Sequence, residues 1–459
     1  MTTLVRGLGA WDGALITVGS VVGTGIFLTT ADMARALPHP GLILLCWVAG
    51  GVFTLAGALT FGELGALFPR AGGQYHYLKE AFGPLWGFLF GWASLLVIMT
   101  GGVATLAVSF GEYLGFFAPF FSTSHVLFSV ALGPATWSVS GGQVAGALAI
   151  VVITLVNVLG VREGATVQNA VTVIKMGALV ALGVLGLLAP VPAAATSAPA
   201  TAVAPVAPVT MAAFGVAMIS VMWSYDGWYA VSGLAGEMKR PSRDLPWALL
   251  VGSAAVMGLY LLANVVYLRT LPVGEIAASG RVAERVAAVL FGPWGARLIS
   301  AAVLVSCFGC TSSTILYAAR AYLPMAEDGL FFRGLARIHP RYRTPVACLL
   351  VQAVLSIVQT FSGTYAQLYT YVVFMVFVFH ALIGVALFKL RRSRPQAERP
   401  YRAWGYPLVP GVFVLASIAL VANTLWEKPV ESLGGLALVA SGVPVYLWWR
   451  RRATSPPPR

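Results

Sequence analysis

Long apolar runs, separated by short polar clusters, recur from one end of the chain to the other. Their length matches the roughly 20 residues that a helix needs to cross a bilayer. Twelve runs predict twelve transmembrane helices, at about 11–36, 41–68, 84–110, 143–161, 166–189, 210–235, 247–268, 295–323, 345–361, 366–390, 407–425 and 433–449. Two of them are interrupted by glycine near their middles. The first carries Val21-Val22-Gly23-Thr24-Gly25-Ile26-Phe27, and the sixth carries Trp223-Ser224-Tyr225-Asp226-Gly227-Trp228. A helix broken at membrane depth leaves N–H and C=O groups that lipid cannot satisfy, so they must face protein, water or a polar ligand. Paired breaks at corresponding places in two halves of a chain point to a ligand site near the bilayer midplane.

Composition agrees with the pattern. Of 459 residues, 58% are hydrophobic and only 10% charged, far from the roughly one-quarter charge of a soluble domain. The first run is too long for the apolar part of a cleavable leader and has no small-residue cleavage pattern before Asp32, so it is expected to remain in the mature chain. The net charge of +13 is a matter of topology. With the N-terminus inside, 22 of the 29 Lys and Arg residues fall on cytoplasmic segments, six on external ones, and Lys175 within a span. That bias predicts both termini in the cytoplasm of a multi-pass cell-membrane protein, and it leaves no soluble domain to bind nucleic acid. Residues 190–209 are Pro/Ala-rich and uncharged and read as an external linker. The chain then divides into a five-helix repeat (1–189), the linker, a second repeat (210–390) and helices 11 and 12 with a cytoplasmic C-terminus (391–459). Each block of five opens on a broken helix, and an odd number of spans per block sets the two in opposite orientations.

The breaks carry complementary chemistry. Gly23, Thr24 and Gly25 can present successive N–H groups at the N-terminus of the outer half-helix, a setting suited to a carboxylate. Carbonyls from Trp223 to Asp226 can accept hydrogen bonds from an ammonium group, and the neighbouring aromatic rings can close over a side chain. Glycines also serve as packing notches in membrane helices. Asp226 is an acid near the membrane centre, where acids are costly and usually functional. It can cap the second half-helix, which is the more economical role, bind a cationic group or take a proton. Lys175 lies too deep to snorkel and needs carbonyl or carboxylate partners. It suits a fixed surrogate for a coupling cation, a proton-switching group or a structural tie from span 5 to span 1. Thr311, Ser312 and Ser313 of span 8 are candidate hydroxyls beside it. The four cysteines lie in apolar spans and read as small packing residues.

These motifs, with others, resemble a known family. Gly62-Glu63-Leu64-Gly65, Phe68-Pro69-Arg70-Ala71-Gly72-Gly73-Gln74-Tyr75, Ala235-Gly236-Glu237-Met238-Lys239-Arg240-Pro241 and Arg243-Asp244-Leu245-Pro246 join the two breaks. So do Ala326-Glu327-Asp328-Gly329, running to His339-Pro340 and Thr344-Pro345, and Arg399-Pro400-Tyr401-Arg402-Ala403-Trp404-Gly405-Tyr406-Pro407. Together they resemble the amino acid–polyamine–organocation superfamily, and within it the L-type amino acid transporter family with its bacterial serine/threonine exchangers. The resemblance implies an all-α leucine-transporter-type fold with a five-plus-five inverted repeat. It implies alternating access, with a small-molecule amino acid held by Val21, Gly23, Thr24 and Gly25 from helix 1. From helix 6 the contacts would be Trp223, Ser224, Tyr225 and Asp226. Lys175, with Thr311 and Ser312, would stand where sodium-coupled relatives hold a sodium ion. Trp223 replaces a common phenylalanine and should favour small substrates. Residues 111–142 contain no cysteine, so no disulfide-linked heavy subunit is expected.

The expected activity is sodium-independent exchange of small neutral L-amino acids. Proton-coupled symport, or a cation or polyamine permease that uses Asp226, stands as the alternative. No metal or cofactor is expected. An enzyme is disfavoured because the five histidines are scattered and no nucleophilic triad or paired-carboxylate cluster appears.

Overall fold

The computed structural model describes residues 7–69, 72–132, 135–159, 162–191, 210–332, 334–335, 339 and 344–454. Most of the 190–209 linker therefore lies outside the described residues. Nine helices among them are long and apolar enough to cross a membrane, and the pair Ala10–Val21 and Gly25–Ala36, bent by 47°, forms a tenth span. The remaining two expected spans are short. Span 6 is Met211–Tyr225 followed by a 3₁₀ segment, Trp228–Glu237, and span 9 is Val346–Thr360. The chain is an all-α polytopic membrane protein.

Local chemistry sets many of the helix ends. Spans 2, 3, 7 and 12 open with Pro40, Pro84, Pro241 and Pro429 at or next to the first helical position, where a missing N–H removes no helical bond. Thr364 opens span 10 (Tyr365–Ser393) with a capping box, its side chain accepting from the Gln367 N–H while Gln367 returns to the Thr364 N–H. Span 3 runs Pro84–Phe117, longer than the expected 84–110, and contains a π-helical turn at Ser94–Ile98. Gln359 of span 9 donates to the Leu96 carbonyl within that turn at 2.9 Å. Span 8 belongs to a helix from Val282 to Glu327, interrupted at Gly292, whose φ of 68° is open to glycine alone without strain.

Packing separates the spans into two groups of four. Spans 1, 2, 6 and 7 pack on one another, as do spans 3, 4 (Gly141–Leu159), 8 and 9, while span 5 (Arg162–Leu188) bridges spans 7 and 8. The turns after spans 1, 3, 7 and 9 meet on one face. There Arg35 donates to the Ala277 carbonyl at 2.8 Å, Arg281 pairs with Glu112 at 3.1 Å, and Trp137 donates to the Phe361 carbonyl at 2.7 Å. That face also carries a β-hairpin, Val126–Leu132 with Ala135–Ser140, a departure from helix that the sequence pattern did not suggest.

The opposite face, which carries the N-terminus, is closed by ionic and backbone links. Buried Glu63 of span 2 accepts from Arg391 of span 10 at 2.9 and 2.6 Å and from the Ala403 N–H at 2.6 Å, with Arg399 at 3.3 Å. Leu8 pairs in parallel with Met238 at the end of span 6. Asp328 takes hydrogen bonds from Lys79 and Tyr75. Burial pushes its carboxyl up, but these bonds outweigh it and hold it below the usual range. The stabilisation from this contact is present above the ordinary carboxylate range and fades as pH falls through it.

Candidate functional site

Span 1 leaves the helix at Val22 and resumes it at Gly25, so three residues, Val22, Gly23 and Thr24, form the break. Val22 adopts φ −70° and ψ 82°, the geometry of an inverse γ-turn, and Gly23 N–H accordingly donates to the Val21 carbonyl at 2.7 Å. One of the three expected donors is thus used internally. The N–H groups of Thr24, Gly25 and Ile26 stand in the first turn of the outer half-helix, where the helix itself offers no acceptor.

The turn also breaks the helical pattern for the carbonyls of Gly19, Val21 and Val22, and side chains from three other spans reach them. Lys175 of span 5, fully buried, donates to the Gly19 carbonyl at 2.5 Å. Tyr260 of span 7 reaches the Val21 carbonyl at 3.0 Å, and the Cys310 thiol of span 8 faces the Val22 carbonyl at 3.6 Å. Lys175 also lies 3.2 Å from Cys310 Sγ. The span-8 neighbour of Lys175 is therefore Cys310, which the sequence suggested was only packing. Ser312 turns instead to span 4, donating to Asn157 Oδ1 at 3.0 Å, and Ser313 bonds back to the Gly309 carbonyl. Thr311 is buried in the same span. The correction is rotational: residues 310 and 312 point to different neighbours because each helix residue turns by 100°.

The break in span 6 is narrower than the sequence implied. Met211–Tyr225 stays helical through Trp223, Ser224 and Tyr225, and only Asp226 and Gly227 leave it. Gly227 has φ +95°, and a Cβ there would meet the Ser20 carbonyl oxygen at 2.9 Å. Asp226 is half-buried and accepts from the Gly227 N–H and the Tyr229 side chain, so its carboxylate serves the start of the second segment. Of the carbonyls expected to take an amine, Trp223 C=O accepts from Asp226 N–H at 3.2 Å, and Ser224 C=O lies 2.9 Å from the Tyr260 hydroxyl. Tyr260, unremarked in the sequence beyond its place in an apolar run, spans both breaks with one phenol.

The two breaks touch. A Cβ on Gly25 would lie 2.5 Å from Ser224 Oγ and 2.6 Å from Ser224 Cα, and the Thr29 and Ser224 hydroxyls are 2.7 Å apart. The positive end of the outer half-helix thus abuts the negative end of Met211–Tyr225. Beside them Trp223 donates its indole N–H to Tyr365 at 2.9 Å and stacks on Tyr369 at 6.2 Å. The Thr24 hydroxyl is buried facing the Tyr365 phenol, without a well-aligned hydrogen bond. Tyr369 donates to Asp32 at 2.9 Å, which closes the site towards the hairpin face. The tyrosines recur at i and i+4 in span 10, a signal that the sequence carried but that only gains meaning beside Trp223.

The two glycines of the first break are now distinguishable. Gly25→Ala forces a side chain into Ser224 and is expected to cost about 1–3 kcal/mol, seen as a lower melting temperature of the detergent-solubilised protein. Gly23→Ala meets nothing nearer than 3.7 Å and should melt with the wild type. Equal melting of the two variants would remove Gly25 as the contact point.

A family model described as amino acid permease matches residues 8–448. The chain is 28% identical over 455 residues to the serine/threonine exchanger of Bacillus subtilis, covering 98% of both proteins. It is 30% identical to the human b(0,+)-type amino acid transporter 1, over 97% of this chain and 88% of that protein. The human large neutral amino acids transporter small subunit 2 is 28% identical, over 98% of this chain and 82% of its own length.

Proposed function

The chain belongs to the amino acid permease family, a family of membrane transporters rather than enzymes, and on that premise we propose that it exchanges small neutral L-amino acids by alternating access without sodium. The observation that carries the reading is the contact between the breaks. A helix N-terminus with free N–H groups at Thr24, Gly25 and Ile26 complements a carboxylate. The C-terminal end of Met211–Tyr225 complements an ammonium group. An amino acid supplies both, so its binding draws spans 1 and 6 onto one ligand.

The packing supports the rest of the scheme. Spans 1 and 2 correspond to 6 and 7, spans 3 and 4 to 8 and 9, and span 5 to 10, as an inverted repeat of 1–189 and 210–390 requires. Substrate binding then biases rocking of the group 1, 2, 6 and 7 against the group 3, 4, 8 and 9. Lys175 sits at the negative end of Ala10–Val21, donating to the Gly19 carbonyl, and stands in place of a coupling cation. The bulk of Trp223, bonded to Tyr365 and stacked on Tyr369, favours a small side chain. The charge bias supports cytoplasmic termini with the hairpin on the outer side. Residues 111–142 hold no cysteine, which supports a transporter without a disulfide-linked heavy subunit.

In proteoliposomes, internal serine, threonine or alanine is expected to accelerate uptake of labelled serine, and replacing sodium with choline should change nothing. Equal uptake into empty and loaded vesicles would overturn exchange. Dependence on a pH gradient would transfer the reading to proton-coupled symport.

A further inference from the structure

The hairpin Val126–Leu132/Ala135–Ser140 is two-faced. Its register sets Phe128 opposite Val139 and Val130 opposite Trp137, while Ser129 pairs with Ser138 and Ala131 with Thr136. Paired residues share a face and successive residues alternate. Phe128, Val130, Trp137 and Val139 thus form an apolar face, and beyond the bulge the other holds Ser129, Ser138, Thr136 and Ala131, with Val126 beside Ser140 at the base of the hairpin. The inner part of the apolar face is used: Val139 is buried, and the Trp137 indole is fixed to the Phe361 carbonyl at the end of span 9. The outer part overhangs, with Phe128 50% and Val130 45% exposed, their neighbour Phe120 exposed as well. A two-stranded hairpin with an uncovered apolar face is marginal in water.

What covers it can be read from charge and position. From Tyr113 to Val161 the chain has no Asp, Glu, Lys or Arg. By contrast, the span 7–8 turn on the same face carries Glu275, Arg281, Glu284 and Arg285. The second strand runs straight into span 4 at Gly141, and Trp137 is tied to the end of span 9, so the hairpin is held at the level where helices leave the bilayer. Span 4, which the second strand enters directly, itself presents an exposed apolar side at Leu148, Val152 and Leu155. Aromatic side chains favour that depth. The free strand edges exclude the hydrocarbon core and require a hydrated layer.

We propose that the hairpin lies in the headgroup layer of the membrane, its Phe128–Val130 face turned to the acyl chains and its Ser129–Thr136 face to water. It anchors the ends of spans 4 and 9 to the bilayer surface, so that the group 3, 4, 8 and 9 is the one held by lipid. This holds whatever the substrate is.

The test is spin-label depth in nanodiscs of phosphatidylcholine and phosphatidylglycerol, on the full chain. The native cysteines are buried, so a nitroxide reports an introduced one. Labels at Phe128→Cys, or at Val130→Cys should the first not fold, are expected to collide more with oxygen than with a water-soluble nickel chelate. They should behave like a reference label at Val152→Cys on span 4. Labels at Ser129→Cys and Thr136→Cys should show the reverse preference. Nickel access on both faces would place the hairpin in water and overturn the proposal. Shielding of the apolar-face label from both reagents, with broadening from a second nitroxide, would assign the face to a second copy of the chain and overturn it equally.

Discussion

Lys175→Met is expected to reduce serine exchange on the order of 10- to 100-fold while the protein still folds. The reason lies in one carbonyl. In an unbroken helix Gly19 C=O would receive the Gly23 N–H, but Gly23 turns to Val21 at 2.7 Å. Lys175 Nζ takes its place at 2.5 Å. Methionine keeps most of the stem and its packing but has no donor. The Gly19 carbonyl, at the negative end of a half-helix, would be buried and unpaired, at a cost of about 1–3 kcal/mol. That cost falls on the broken geometry of span 1 and hence on the state that binds substrate. The measurement is proteoliposome exchange together with the rise in melting temperature caused by added serine. Both should fall, whereas Cys310→Ala, which removes a long thiol contact to Val22 and a sulfur neighbour of Lys175 but leaves the Gly19 carbonyl its donor, should be milder. Wild-type exchange by Lys175→Met would sink the assignment.

Glu63→Ala is expected to be the most destabilising single change, by about 3–5 kcal/mol. Glu63 is fully buried and accepts from Arg391 and the Ala403 N–H, with Arg399 alongside, itself only 6% exposed. Removing the acid leaves two guanidinium groups facing each other in a site with little water. The loss is a large part of an ordinary folding stability of about 5–15 kcal/mol. Because the cost comes from the stranded charges, Glu63→Met combined with Arg391→Met should recover part of it. Thermal melting in detergent decides this, and a Glu63→Ala variant that melts with the wild type would refute the role given to the cluster.

How much of this was legible beforehand differs residue by residue. The span pattern, both breaks and the isolation of Lys175 in an apolar run were all visible, because each depends on neighbours close in the chain. Gly227 and Gly25 were visible as glycines, but their work was not. One takes a positive φ against Ser20, and the other gives Ser224 room. The length of the second break was overestimated, since nothing local says that Trp223 and Ser224 still have helical partners. The hairpin was hidden in an uncharged loop whose alternating residues are shared with many irregular segments.

By itself, the sequence determined that this chain lives in a bilayer, where its helices run, and where two of them must break. Hydropathy and glycine act over a single turn or a single span, and lipid permits few alternatives. Only the tertiary structure decided who completes the breaks: Lys175, Tyr260 and Cys310 from three different helices, with Ser312 turned away. That choice depends on the rotation of each helix about its axis and on the angle at which it crosses its neighbours. Both arise from packing across the whole bundle, which no local stretch of residues contains.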